Sequence, residues 1–289
     1  MTASRAAAWL MLGLCAQRCA AQLPGMPLPA QCVGAAEGPA PRSDLNWPAN
    51  ETKLAQSMRQ VDQGQGAEII FYGDSIFWEY TGENLNGAPT KADLARKAIL
   101  DKDFANHSYE VAAIPGDESG NLLWRLETGG EFPTIHMPKT VVILIGTNDL
   151  SYSDCHEDQQ ELLNAAPGIV NRVTQIVTYI HTKSPKTQIV LLGILPRGGL
   201  YWEKDQAWIW PNRYTAAIAA VNAGYYALAE ALPQYVKYVY CGKPYAYEYG
   251  MNFEYVEDGI HPNQKGLELL AQCIQKDVDT DLATPMYTN

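Results

Sequence analysis

The sequence predicts an α/β protein folded as a three-layer α/β/α sandwich. Short apolar runs rich in valine and isoleucine alternate along the chain with longer helical patterns. The runs are apolar on both faces, which is typical of parallel strands that helices cover from both sides. With 289 residues, of which 47% are hydrophobic, the chain is long and apolar enough to bury the core that this architecture needs.

Each predicted element follows from one of these segments. Five strands are predicted, over residues 68–72, 108–114, 140–145, 188–195 and 235–240. Five helices are predicted, over residues 90–101, 119–128, 164–183, 212–231 and 264–277. We expect one domain over residues 50–278 and a C-terminal tail over residues 279–289, because no internal repeat or linker divides the chain.

The N-terminus has the features of a secretory signal peptide over residues 1–21. Arg5 precedes an apolar run that is too short to span a bilayer as a helix, and small residues suit cleavage before Gln22. An uncleaved anchor or a chance apolar start is the alternative. Residues 22–49 are rich in proline and are interpreted as an irregular lead-in to the domain.

A secretory route changes the interpretation of the cysteines. Cys15 and Cys19 would leave with the signal peptide, and four would remain in an oxidising compartment: Cys32, Cys155, Cys241 and Cys273. We expect two disulfides, and three pairings are open. Asn50 and Asn106 begin N-glycosylation sequons, which fit the same route to a secreted, extracellular location.

The composition excludes several classes of function. The chain has 21 Lys and Arg against 32 Asp and Glu, a net charge of −11, and no basic cluster, so no nucleic-acid partner is expected. The charge also disfavours anionic membrane surfaces, and no other stretch predicts a stable membrane span. Neither a phosphate loop nor a dinucleotide motif is present. Residues 154–158 combine metal-ligand types, but such loops are more often solvated, so neither metal nor organic cofactor is expected.

The first predicted strand ends in Gly73-Asp74-Ser75. A serine at a sharp turn from a strand into a helix exposes its hydroxyl, and its own N–H can stabilise an oxyanion. The alternative is a helix N-cap, for which serine and aspartate are among the commonest residues. The α/β-hydrolase nucleophile motif is absent, and Ser119 lacks its spacing and is interpreted as a helix N-cap.

Residues that could complete such a site follow other predicted elements. Asn148 comes after the third strand and Gly116 after the second, where an amide side chain and a backbone N–H could donate to an oxyanion. Asp258 precedes His261 by three residues, so its carboxylate could orient the imidazole as a general base. The alternatives are an Asx turn at Asn148 and a capping aspartate at Asp258.

These motifs, in this order, resemble the SGNH superfamily of GDSL-type esterases and lipases, over about residues 67–275. Leu-Trp-Arg-Leu at residues 123–126 and Gly-Thr-Asn at residues 146–148 are similar to the catalytic subunits of intracellular platelet-activating-factor acetylhydrolase. The resemblance implies a flavodoxin-like, five-stranded parallel sheet with strand order 2-1-3-4-5.

The same resemblance implies a role for each candidate residue. Ser75 would be the nucleophile, His261 the general base and Asp258 the carboxylate that orients it. The Ser75 N–H, the Gly116 N–H and the Asn148 side chain would form the oxyanion hole.

The sequence therefore predicts a secreted serine esterase that hydrolyses short acyl esters, acetyl or close to it, of a small molecule or a carbohydrate. The alternatives are an acetyl esterase of polysaccharides and a non-catalytic binding module, and the intact set of site residues weighs against the module. Tyr201, Trp202, Trp208 and Trp210 are expected either to line a substrate cleft or to cover the core. Bulky residues 76–78 would restrict the acyl space wherever they face the site. A homodimer is left open.

Overall fold

A single parallel sheet organises the chain. The computed structural model describes residues 38–44, 46–85, 87–153, 159–199 and 207–283. Five strands are present in these ranges: β1 (Ile69–Gly73), β2 (Tyr109–Ala113), β3 (Thr140–Leu144), β4 (Gln188–Leu192) and β5 (Val236–Val239). All neighbouring strands pair in parallel, in the order β2-β1-β3-β4-β5. The predicted strands and the implied strand order are confirmed.

Helices connect and cover the strands. The described ranges contain α1 (Trp47–Gln63), α2 (Ser75–Trp78), α3 (Lys91–Asp103), α4 (Ser119–Trp124), α5 (Thr147–Ser153), α6 (Gln159–Lys183), α7 (Thr215–Ala231) and α8 (Gln264–Ala283). The helices α3, α4, α6, α7 and α8 were predicted, with boundaries that differ by a few residues, whereas α1, α2 and α5 were not. A π-helical turn over Arg125–Gly129 continues α4.

Two apolar cores lie on opposite faces of the sheet and define the three layers. On one face, α1, α4, α6 and α7 contribute buried residues such as Met58, Leu122, Ile169 and Val221. On the other face, α2, α3 and α8 contribute buried residues, which include Phe77, Leu100 and Leu270. Because the strands between them are almost wholly buried, their apolar runs show no alternation. The predicted α/β/α sandwich is confirmed.

Both ends of the domain differ from the prediction. The helix α1 begins at Trp47, inside the expected lead-in, and the indole N–H of Trp47 donates to the buried carboxylate of Asp117 over 2.6 Å. Farther upstream, the Ala40 N–H donates to the Gly120 carbonyl over 3.3 Å. At the other end, α8 continues to Ala283, beyond the expected start of the tail at 279. The N-terminal segment is placed by contacts with distant parts of the chain, which its local sequence does not reveal.

The α1 helix is attached to the domain through its last turn. The carboxylate of Asp62 accepts hydrogen bonds from the backbone N–H groups of Thr134 (2.8 Å), Ile135 (3.1 Å) and His136 (2.7 Å). These bonds satisfy three backbone donors of the loop that precedes β3. They explain why a helix with a mostly polar sequence has a fixed place against the sheet.

One of the expected disulfides lies in the described ranges. Cys241, which follows β5, is bonded to Cys273 of α8, with a Cα–Cα distance of 6.0 Å. Cys32, Cys155 and the predicted signal peptide lie outside the described residues. Within the described ranges, no helix combines the length and the apolar character that a membrane crossing requires.

Candidate active site

The predicted site residues meet at one edge of the sheet. Ser75 follows β1, Gly116 follows β2 and Asn148 follows β3, and these three strands are neighbours in the sheet. Asp258 and His261 lie in the loop that leads into α8. Because parallel strands share one carboxyl edge, the loops after β1, β2 and β3 converge there.

Three of these side chains form a continuous hydrogen-bonded chain. The His261 Nε2 lies 2.8 Å from the Ser75 hydroxyl oxygen, and the His261 Nδ1 lies 2.7 Å from a carboxylate oxygen of Asp258. With the proton on Nδ1, the imidazole donates to Asp258 and its Nε2 accepts from the Ser75 hydroxyl. This arrangement lets the imidazole take a proton from the serine while the carboxylate stabilises the resulting positive charge.

The turn between Asp258 and His261 fixes their relative orientation. The second carboxylate oxygen of Asp258 accepts from the N–H of Ile260 over 2.9 Å and of His261 over 2.8 Å. Gly259 has φ of +88°, and a Cβ there would lie 2.0 Å from the Ala207 carbonyl oxygen. Glycine is therefore required for both the backbone conformation and the close approach of residue 207.

Electrostatic interactions shift the pKa values of Asp258 and His261 in opposite directions. Burial disfavours the Asp258 carboxylate, but the hydrogen bond and charge of His261, with the two backbone N–H donors, outweigh burial and lower its pKa to about 2. Burial also disfavours the imidazolium of His261, yet the hydrogen bond and charge of Asp258 prevail and raise its pKa above the ordinary value of 6.5. Asp258 is thus ionised at neutral pH and supports protonation of the imidazole.

Asp74 is a second carboxylate beside the nucleophile. Its side chain is 1% exposed and accepts from the Ile76 N–H over 3.0 Å, which caps α2. Burial raises its pKa to about 7, although the Ile76 N–H and the charge of His261 lower it. The residue therefore changes charge near neutral pH, within the electrostatic reach of His261.

Three N–H groups in the loops after β1, β2 and β3 are candidate donors to an oxyanion. Within the described residues, the backbone N–H groups of Ser75 and Gly116 make no hydrogen bond. The Asn148 amide donates one hydrogen bond to the Asp117 carbonyl over 3.0 Å, which leaves its second amide hydrogen available. Gly116 has φ of +80°, a left-handed conformation that favours glycine.

A buried guanidinium supports the loops of Ser75 and Gly116 from beneath, and the sequence did not identify it as a site residue. Arg125 is 0% exposed and donates to the carbonyl oxygens of Ala112 over 3.3 Å and Gly73 over 3.4 Å. It also forms ion pairs with Glu131 at 2.8 Å and, without hydrogen-bond geometry, with Asp117 at 2.9 Å. Its place in the Leu-Trp-Arg-Leu segment was the only signal in the sequence.

A second buried ion pair supports the loop of Asn148. Asp149 accepts from the backbone N–H of Ser119 over 2.8 Å and from Arg172 over 2.9 Å, and the Arg172 Nε donates to the Ser119 hydroxyl over 2.7 Å. The interpretation of Ser119 as an N-cap is wrong, because Glu118 occupies the cap position and Ser119 is the first helical residue. The Ser119 side chain instead links α4 to α6.

The bulky residues after the nucleophile do not all face the site. Ile76 and Phe77 are buried in the core beneath α2, and the Phe77 ring packs edge-on against Phe71 at 5.5 Å. They do not restrict an acyl group, which corrects that expectation. Trp78 is partly exposed and lines a cavity of about 430 Å³ that also contacts Pro115, the residue before Gly116.

The described part of the aromatic segment after β4 divides between surface and core. Trp208 packs against Phe253 at an interplanar angle of 35° with ring centroids 4.3 Å apart, and Phe253 is 61% exposed. Trp210 packs against both apolar cores, whereas Tyr201 and Trp202 lie outside the described residues. Phe253 was not identified from the sequence. The exposed aromatic surface therefore comes from two segments that are distant along the chain.

Metal binding has no support among the residues that the structure describes. No group of three or more His, Cys, Asp or Glu residues has the arrangement of a metal site within these ranges. Residues 154–158, the one segment weighed as a metal loop, lie outside them.

Comparison with known families gives one match that covers most of the domain. A family model described as the GDSL-like Lipase/Acylhydrolase family matches residues 71–269, which is more than half of the chain. The match begins just before the Ser75 turn and ends just after the His261 loop. The N-terminal segment and α1 lie outside it.

Similar proteins share part of the sequence or the fold. The platelet-activating factor acetylhydrolase IB subunit alpha1 of Rattus norvegicus is 35% identical over 164 residues, which are 56% of this chain and 58% of that protein. Subunit alpha2 of Gallus gallus is 35% identical over 85 residues, 29% of this chain and 31% of that protein. The chain thus spans between about a third and somewhat over half of these relatives.

Solved structures of other proteins have a fold similar to that of this chain. A GDSL-like lipase from Bacteroides thetaiotaomicron has a TM-score of 0.54 at 15% identity, over 80% of this chain and 98% of that one. An acetyl xylan esterase has a TM-score of 0.51 at 19% identity, over 73% of this chain and 98% of that one.

Proposed function

Because the chain belongs to the GDSL-like lipase/acylhydrolase family, we propose that it is a carboxylic ester hydrolase with Ser75 as its nucleophile. The observation that carries this proposal is the 2.8 Å contact between the Ser75 hydroxyl and His261 Nε2, with Asp258 at 2.7 Å from the other ring nitrogen. A serine hydroxyl is a weak nucleophile at neutral pH, and a base in contact activates it by taking its proton.

In the first half of the reaction, Ser75 Oγ attacks the ester carbonyl carbon while its proton moves to His261 Nε2. The carbonyl oxygen becomes an oxyanion, which accepts hydrogen bonds from the Ser75 N–H, the Gly116 N–H and the Asn148 amide. When the tetrahedral intermediate collapses, the carbon–oxygen bond to the alcohol breaks. His261 returns its proton to the leaving alkoxide, and an acyl-serine remains.

In the second half, water replaces the alcohol. His261 takes a proton from water as the hydroxide oxygen attacks the acyl carbon, and the same donors hold the second oxyanion. The intermediate releases a carboxylic acid, and the Ser75 oxygen recovers its proton from His261. Asp258 stays ionised throughout, because its pKa lies far below neutral pH.

The acyl group is proposed to be short, acetyl or close to it. The relatives that are about a third identical in sequence carry the name acetylhydrolase, which supports this choice. Ion pairs on the wall of the cavity next to Pro115 give independent support. They join Lys53 to Glu83 at 2.5 Å and Lys97 to Asp101 at 2.7 Å. A long alkyl chain there would desolvate these charges.

A polysaccharide acetyl ester is the second candidate substrate. The exposed ring of Phe253, with Trp208 packed against it, favours this substrate, because flat aromatic faces suit sugar rings. Tyr247 and Tyr249, 58% and 80% exposed, extend the same segment. The Cys241–Cys273 disulfide supports an oxidising compartment and is consistent with the proposed secretion.

The proposal is tested with purified protein and the Ser75→Ala variant. We expect hydrolysis of nitrophenyl acetate by the wild type and stoichiometric labelling of Ser75 by a fluorophosphonate, followed by peptide mass spectrometry. Ser75→Ala should lose both while its circular dichroism spectrum is unchanged. Wild-type turnover in the folded variant would show that another residue is the nucleophile.

A further inference from the structure

The guanidinium of Arg42 lies against the loop that carries Gly116. Its Nη1 donates to the Pro115 carbonyl oxygen over 2.8 Å and lies 3.4 Å from a carboxylate oxygen of Asp117. Both sequence neighbours of Gly116 therefore contact one side chain. A Cβ on Gly116 would lie 2.8 Å from Nη1 and 3.2 Å from Cζ of Arg42, so the guanidinium covers this α-carbon directly.

The contact with Pro115 acts on the Gly116 N–H through one rigid unit. The Pro115 carbonyl and the Gly116 N–H belong to the same planar peptide group. A donor that fixes the carbonyl oxygen also fixes the direction of the N–H. A positive charge at the oxygen further polarises the peptide group, and this makes its N–H a stronger hydrogen-bond donor.

We propose that Arg42 is a positioning residue of the oxyanion hole, which orients and polarises the Gly116 N–H through the Pro115 carbonyl. The proposal rests on the proposed ester hydrolysis. Gly116 needs such a restraint because glycine has more accessible backbone conformations than any other residue. Without it, the peptide group between residues 115 and 116 can rotate, and the N–H then points away from the oxyanion.

Arg42 reaches the loop from residues 40–44, here called the N-terminal strap, which precede the region of the family match. The strap is attached at both ends. Ala40 donates its N–H to the Gly120 carbonyl over 3.3 Å and accepts from the Asn121 side chain over 2.9 Å. The Asp44 carboxylate accepts from the Trp47 N–H over 3.2 Å, which joins the strap to α1, and from the Arg42 Nε over 2.8 Å. These bonds hold the guanidinium against the loop that carries Gly116.

The fold depends less on Arg42 than the proposed orientation of the Gly116 N–H does. The Asp117 carboxylate also accepts from the Trp47 indole over 2.6 Å and lies 2.9 Å from the Arg125 Nε, so it stays paired when Arg42 is removed. The Arg42 side chain is 18% exposed, which leaves its place accessible from solvent. Truncation of Arg42 is therefore expected to give a folded protein with a site that a small guanidinium ion can enter.

The test compares the hydrolysis of nitrophenyl acetate by the wild type and by Arg42→Ala. We expect kcat to fall by about 10- to 100-fold, somewhat less than the loss of a whole oxyanion donor, with KM changed by less than about threefold. Guanidinium chloride at non-denaturing concentration should restore part of the lost kcat, and sodium chloride at equal ionic strength should not. Wild-type kcat in Arg42→Ala would overturn the proposal, and so would a loss confined to KM.

Two further variants keep the result unambiguous. Arg59→Ala removes an exposed arginine of α1 and should behave as the wild type, which controls for net charge. If Arg42→Ala does not fold, Arg42→Met, which keeps the aliphatic packing, is measured instead. A fall in kcat supports the proposal, and wild-type kcat or a loss confined to KM overturns it. Fluorophosphonate labelling of Ser75 distinguishes a failure of the proposed ester hydrolysis from a failure of the proposed role of Arg42. A wild type that is neither active nor labelled refutes the ester hydrolase, whereas a labelled, active Arg42→Ala with normal kcat refutes only the role of Arg42.

Discussion

The Asn148 side chain donates a hydrogen bond to the backbone carbonyl of Asp117, 3.0 Å away. This bond joins the loops after β2 and β3 and uses one of the two hydrogens on the amide nitrogen. The same bond fixes the plane of the amide, so the second hydrogen has a defined direction. A donor that is oriented before the reaction stabilises an oxyanion without further reorganisation.

We expect Asn148→Ala to lower kcat by about 10²- to 10³-fold, the range for one lost oxyanion donor, with little change in KM. Steady-state kinetics on nitrophenyl acetate measures both. Asn164→Ala, an exposed position on α6, is the matched control and should be indistinguishable from wild type. If Asn148→Ala changes KM alone, the amide binds the substrate and does not act on the transition state.

The acid limb of the pH profile should lie above pH 6.5. Ser75 can be activated only by neutral His261, and the pKa of this imidazole is raised above 6.5, chiefly because the hydrogen bond and charge of Asp258 outweigh burial. Activity is therefore lost as pH falls through that raised pKa. The measurement is kcat/KM for nitrophenyl acetate between pH 5 and 9. A midpoint below 6.5 would contradict the assignment of His261 as the base.

Asp74→Asn should move that acid limb to lower pH. The charge of Asp74 contributes to the raised pKa of His261, so its removal lowers the pKa of the imidazole. The pKa of Asp74 is itself about 7, so the wild-type limb contains two overlapping ionisations and the variant only one. Asp101→Asn, at an exposed carboxylate on α3, is the control and should leave the midpoint in place.

The sequence predicted the parts of the fold that depend on local composition. The apolar runs of β1 and β3 are typical of buried parallel strands, and both strands lie wholly buried in the sheet. The α1 helix escaped prediction because its sequence is largely polar. Its place is set by Asp62, whose partners lie more than 70 residues away.

The site residues also divide into those that the sequence predicts and those that it does not. Ser75 and Asn148 follow strands whose carboxyl ends must converge in a parallel sheet, so their proximity could be inferred from order alone. The arginines that support them could not, because arginine is usually exposed and its burial depends on carboxylates elsewhere in the chain. Arg125 and Arg172 were identified only when Glu131 and Asp149 were found beside them.

Removing the disulfide should destabilise the domain without changing its fold. Cys241 and Cys273 are 32 residues apart, and a closed loop of this length restricts the unfolded chain by about 4 kcal/mol. We expect Cys241→Ser with Cys273→Ser to lower the free energy of unfolding by about 2–4 kcal/mol in urea titrations. The reduced wild type should match the double variant. Equal midpoints for the oxidised wild type and the variant would show that the bond contributes no stability.

A chain-length series should have its maximum at the acetyl ester. The cavity lined by Trp78 and Pro115 is one space that a longer acyl chain could enter, and its ion pairs make it a poor site for alkyl groups. Nitrophenyl acetate, butyrate, octanoate and palmitate, compared by kcat/KM, test this prediction. A maximum at octanoate or beyond would identify the chain as a lipase with a different acyl pocket.

The exposed aromatic pair should bind the leaving group and not the acyl group. Trp208 follows Ala207, whose carbonyl packs against Gly259 of the turn between Asp258 and His261, so the Trp208–Phe253 pair is joined to this turn through one residue. Phe253→Ala is expected to raise KM about 3- to 10-fold for aryl acetates while KM for ethyl acetate and kcat for both stay unchanged, because only a flat leaving group gains from stacking. Tyr226→Ala, an equally exposed aromatic on α7, should leave every constant at its wild-type value. An equal rise in KM for ethyl acetate would instead place Phe253 in contact with the acyl half of the substrate.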